Sequence, residues 1–220
     1  AYVAVTRART HLICTTSWWR DGANSVSPSN IFTLIAGAAS ESNVIGMIGG
    51  YAIPEVNRLM NAFMEGAKET NSDVSFLVNF IDSWYDPAKA KESSFAMMDA
   101  GADVMYAERF GVSDAAVERG MKAIGNVIDT SADYPNTILA SAIWHMEATV
   151  DTAIKGVSSG TYVADDYGQY SFMAHGGGSL VLDEALVPAD IVSLVKAKEA
   201  AIMDGSYTVV INDDAPVSGK

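Results

Sequence analysis

The chain has 220 residues, of which 49% are hydrophobic and 19% charged, and it carries a net charge of −13. That balance suits a globular fold with a sizeable core and argues against general nucleic-acid binding by the whole chain. The single cysteine, Cys14, excludes an internal disulfide framework, three scattered histidines offer no metal-ligand spacing, and no run of 18 apolar residues marks a transmembrane helix. Charge is unevenly spread. Residues 1–33 hold Arg7, Arg9 and Arg20 against Asp21, a net of +2, so the rest of the chain carries −15 of the total −13. Such a break marks a candidate module boundary. The chain does not begin with Met and reads as a fragment, so missing targeting signals say little about location.

From residue 44 the hydrophobic pattern alternates. Val44–Ile48 is a short apolar strand, broken by Gly49-Gly50, and Pro54 opens a helix in which Val56, Leu59, Met60, Phe63 and Ala67 recur at helical spacing. A second strand over 76–81 leads through Asp82-Ser83-Trp84-Tyr85-Asp86-Pro87 into a helix ending at Gly101. Strands over 102–107, 123–128 and 137–143 follow, with helices over about 113–120 and 146–157. Beyond 160 the pattern loosens: short strands are expected over 170–173 and 179–182, a last helix over about 188–203, and a frayed polar tail over 212–220. The βα alternation with short apolar strands predicts an α/β fold, a parallel sheet with helices on both faces.

Ligands of open parallel sheets bind beyond the carboxyl ends of the strands. Those ends gather Tyr51, Asp82, Trp84, Glu108, Asn126, Asp129 and Trp144. Flat aromatics with a few hydrogen-bond acceptors suit a flat, donor-rich ligand such as a purine. They make a poor phosphate site, since Arg109 is the one cation among them and no GxxxxGK[ST] loop exists. Each residue also has a plain structural reading. Trp84 and Trp144 can fill core gaps, Asp129 can close a turn, and the Gly176–Gly178 run reads as a flexible turn. There is no Gly-x-Ser-x-Gly elbow and no recognisable acid–base pair, so the convergence at one edge is the signal.

Several stretches, "NVIGMIGGYAIPEVNRLMNAFMEGAKE", "IDSWYDPAKAKESSFAMMDAGADVMYAERFGVSDAAVERG", "KAIGNVID", "ILASAIWHMEATVDTAIKGVSSGTY" and "YGQYSFMAHGGGSL", resemble the basic membrane protein family over about 34–217. The resemblance implies a type I periplasmic-binding-protein fold of two α/β lobes around a cleft, no enzymatic activity and no cofactor. It also implies a purine base or nucleoside as ligand, an ABC permease as partner, and a place in the periplasm or on the outer face of the plasma membrane. The first lobe is largely missing from the match, so the body divides into a second lobe over 44–160 and return segments with the C-terminal helix over 161–220. Some nucleoside-binding members carry a lysine where this chain has Trp144, which favours a free base such as adenine.

Residues 1–32 resemble something else. "AYVAVTRARTHL" is similar to the last motif of UvrD-like superfamily 1 helicases, where the residue in the place of Arg7 approaches the ATP γ-phosphate. A helicase tail joined to a binding-protein body, divided near residues 33 and 34, is the expectation. A helicase fragment, or an α/β enzyme using the strand-end carboxylates Asp82, Glu108 or Asp129, is the alternative function.

Overall fold

The computed structural model describes residues 4–8, 11–15, 29–164 and 173–220, the first two stretches and 29–32 at the level of backbone. β1 (Ala4–Ala8) and β2 (His11–Thr15) pair antiparallel with each other, Arg7 opposite Leu12. This hairpin is a separate two-stranded sheet and supplies no strand to the larger one. The body then runs α1 (Ser29–Ala39), β3 (Val44–Gly49), α2 (Pro54–Thr70), β4 (Ser75–Phe80), α3 (Pro87–Asp99), β5 (Val104–Ala107), α4 (Val112–Arg119), β6 (Lys122–Val127), β7 (Ile138–Trp144), α5 (Met146–Ser159), β8 (Gly178–Leu182) and α6 (Ala189–Met203).

The large sheet has the order β4-β3-β5-β6-β7-β8. Its first five strands are parallel, as the alternating pattern predicts, and β8 returns antiparallel to β7. Side chains alternate between two cores. Ile45, Met47, Val104, Tyr106 and Ile124 face α1, α2 and α6. Ile48, Met105, Ala107 and Ala123 face α3 and α4. Burial on both faces is why these strands read as continuous apolar runs. Residues 170–172 of the expected strand lie outside the described residues, and Met173 opens a single 3-10 turn ending at His175.

The C-terminal tail differs from its expected frayed state. Gly219 and Phe76 exchange both backbone hydrogen bonds, at 2.8 and 2.9 Å, and the Ser218 hydroxyl accepts from Val78 N–H. The amide of Asn61 donates to the carbonyls of Asn212 and Asp214, and Arg58 pairs with Asp213 at 2.9 Å. A polar tail reads as loose by composition, but here it satisfies the exposed donors of edge strand β4.

Candidate ligand site at the strand ends

The strand order reverses between β3 and β5. From β3 the chain crosses to β4 on one side, and β5 then takes the other side of β3. Such a switch point opens a crevice at the carboxyl ends. Three chain segments meet there: Gly50-Tyr51 after β3, Asp82–Asp86 after β4, and Glu108-Arg109-Phe110 after β5.

A buried ion pair ties them together. Glu108, 6% exposed, accepts from Gly50 N–H at 3.0 Å through Oε2. Its neighbour Arg109 donates from Nε to that oxygen at 2.8 Å, from Nη2 to Oε1, and from Nη1 to the Trp84 carbonyl at 2.9 Å. The guanidinium also lies 5.3 Å from the centre of the Trp84 ring, within cation–π range. Tyr51 packs on Trp84 with ring centroids 5.0 Å apart and planes tilted by 60°. Gly50 lies close beneath this ring: a Cβ there would stand 3.2 Å from both the Trp84 ring and the Ser83 carbonyl, so any side chain would press on the loop by a few tenths of an ångström. Trp84 keeps 38% of its surface exposed.

Electrostatics follow from burial. Desolvation raises the Glu108 pKa above the ordinary carboxylate value, and the Arg109 charge opposes this. Glu55, in the first turn of α2, is likewise raised by burial, against the pull of Arg109 and Arg58. Tyr106 is fully buried with its hydroxyl unpartnered, and both burial and the Glu108 charge push its pKa well up.

Of the seven residues expected at the edge, the structure brings Tyr51, Trp84 and Glu108 into one cluster. Glu108 spends both oxygens inside the chain. Asp82 is exposed, in a left-handed conformation at φ 52°. Asn126 stands at the end of β6 with both amide atoms buried and unpartnered. Beside it Val127 has φ 72°, and Ile128 N–H bonds the Asn126 carbonyl at 2.9 Å, a γ-turn. A β-branched residue in that region stores strain, which clusters at functional sites. Asp129 accepts from Ser131 N–H at 2.9 Å and closes its own loop. Trp144, half-buried, ends β7 opposite Gly178. Among the described residues no hydrogen bond, ion pair or ring contact joins Asn126, Asp129 or Trp144 to the Trp84 cluster.

Sequence reading noted Arg109 as a cation and missed it as the tie between three strands. It also left Tyr85 in the turn, whereas Tyr85 and Phe110 form an exposed edge-to-face pair at 5.9 Å. The adjacency of Glu108 and Arg109 was a signal for the pair, but its partners on β3 and β4 are distant in sequence. A separate cavity of about 420 Å³ lies where β7 begins and β8 ends, lined by Ser131, Ile138, Val181 and Asp183 among others. It does not include any residue of the Trp84 cluster.

The parallel strands with helices on both faces form an α/β fold shared with solved solute-binding proteins of the periplasmic-binding-protein type. A solute-binding protein of an ABC transporter system from Conexibacter woesei DSM 14684 matches with a TM-score of 0.66 at 21% identity, covering 84% of this chain and 63% of that one. The family is set by sequence: residues 31–178 match the Bmp model, ABC transporter substrate-binding protein PnrA-like, and the chain belongs to that family. The purine-binding protein BAB2_0673 of Brucella abortus is 30% identical over 59% of this chain and 37% of its own length. The ABC transporter nucleoside-binding protein BmpA of Lactococcus lactis is 25% identical over 79% of this chain and 55% of its own. The chain thus spans between about a third and just over half of these relatives. The family match begins at residue 31, within the end of the helicase-like stretch, and the joined-chain reading of residues 1–32 is not borne out by these matches.

Proposed function

We propose that this chain is the ligand-binding body of an ABC importer and takes a purine base or nucleoside at the carboxyl edge of β3, β4 and β5. The observation that carries the reading is the Trp84 ring, held at the switch point by Tyr51, Gly50 and Arg109 and still open to solvent. A ring fixed in this way is a stacking platform whose ordering cost is already met by the fold. The buried, unpartnered amide of Asn126 at the end of the next strand but one from β3, with an N–H2 donor group and a carbonyl acceptor, is of the kind that pairs with the hydrogen-bonding edge of a base. The names of the purine-binding and nucleoside-binding relatives support the same class.

On this reading the chain binds and releases its ligand unchanged, at the outer face of a membrane. Closure of a second lobe over the cleft reports occupancy to the permease. Among the described residues no helix is long and apolar enough to cross a membrane. A thermal-shift screen of the 220-residue chain against adenine, hypoxanthine, guanine, adenosine, guanosine and several sugars tests the ligand class, because a ligand that binds only the native state raises the Tm. Stabilisation by purines and not by sugars is expected. Stabilisation by a sugar alone would overturn the reading.

A further inference from the structure

We infer that Arg109 sets the choice of base at this site, favouring a purine with a 6-oxo group over one with a 6-amino group. The inference rests on the purine reading above and deepens it. A guanidinium carries five N–H donors and no acceptor. In Arg109 the Nε proton is shared between the Glu108 carbonyl and Oε2, one Nη2 proton goes to Oε1, and one Nη1 proton goes to the Trp84 carbonyl. Two Nη protons remain. The side chain is 18% exposed and its guanidinium lies 5.3 Å from the centre of the Trp84 ring, with the Glu55 carboxylate close enough to feel its charge. On this inference the two remaining protons face a base stacked on Trp84.

Its orientation is not free to adapt. Hydrogen bonds to the end of β5 and to the loop after β4 hold it, and the Glu108 carboxylate is itself held by the Gly50 amide after β3. A fixed fork of donors demands acceptors opposite. A 6-oxopurine offers two neighbouring acceptors, N7 and O6. A 6-aminopurine keeps N7 but turns a donor toward the fork. Glu108 also cancels the Arg109 charge, so the pair suits a neutral carbonyl better than a phosphate. Trp144, in the place of a lysine, points by resemblance to a free base such as adenine. The Arg109 geometry changes which base that is.

The test compares two bases of nearly equal size. Ligand-observed NMR titration of the 220-residue chain with hypoxanthine and with adenine measures both Kd values in one assay. Hypoxanthine is expected to bind tighter by roughly 5- to 150-fold, the range for one bidentate Arg contact to a base. Arg109→Gln should remove most of that preference, read as the ratio of the two Kd values, because losing its hold on Trp84 weakens both bases alike. Arg109→Lys, which keeps the charge and loses the fork, should do the same and serves if the glutamine variant does not fold. Equal or tighter binding of adenine by the unaltered chain overturns the inference, and so does an unchanged ratio in a folded variant. In either case the purine reading survives. Failure of both bases to bind overturns the purine reading and this inference with it.

Discussion

Arg109→Ala should destabilise the chain at neutral pH by removing the partner of a buried charge. Glu108 is 6% exposed, and both its oxygens accept hydrogen bonds from Arg109. Breaking a buried ion pair costs about 3–5 kcal/mol. The lower end applies here, because Arg109 lies at the sheet edge and water can enter once it is gone. For a chain of this size 1 kcal/mol moves the Tm by about 2–4 °C, so a drop of about 6–12 °C is expected. The pH dependence has a defined sign. Burial already raises the Glu108 pKa above its unfolded value. The folded state therefore holds the proton more tightly, and stability falls as pH rises through the folded pKa. Without Arg109 the opposing pull disappears, so this loss becomes larger and extends to higher pH. The deficit of Arg109→Ala relative to the unaltered chain should shrink on acidification toward the ordinary carboxylate pKa. Adding Glu108→Gln should restore part of the Tm at pH 7. Thermal melts of the three proteins from pH 4.5 to 8 supply the measurement. A Tm within about 2 °C of the unaltered chain, or a double variant no more stable than Arg109→Ala, would refute the reasoning.

Trp84→Ala should weaken purine binding by about 1–3 kcal/mol, the usual worth of base–aromatic stacking; unchanged affinity by calorimetry would make Trp84 a packing residue. Asp86 caps α3 by accepting from Lys89 N–H at 3.0 Å, so Asp86→Ala should cost about 1 kcal/mol in urea unfolding and leave ligand affinity alone. Removing residues 212–220 uncovers the donors of β4 at Phe76 and Val78; a lower Tm and concentration-dependent self-association by light scattering are expected. ATP turnover should be absent with or without DNA, because Arg7 has no phosphate loop to work with; turnover lost in Arg7→Ala would contradict this.

Local sequence was enough to read most of the fold. The apolar runs over 44–48, 76–81 and 102–107 carry strand signals within their own windows, and Pro54, Pro87 and Gly101 mark helix ends through backbone chemistry that needs no distant partner. The end of each strand, and hence the edge where Tyr51, Trp84 and Glu108 gather, follows from the same signals. Pairing across the sheet is a different matter. That β3 lies between β4 and β5, so that Gly50 meets Glu108 and Trp84 meets Arg109, depends on contacts 25 to 58 residues apart. No local pattern encodes such a contact. The polar tail illustrates the same limit: its composition is that of a loose end, and the edge groups of β4 with the side chains of α2 hold it down. Glu108 is the sharpest case. A carboxylate at a strand end reads as a ligand acceptor, yet burial beside Arg109 and the Gly50 amide turns its oxygens inward, because a desolvated charge takes the nearest fixed donors.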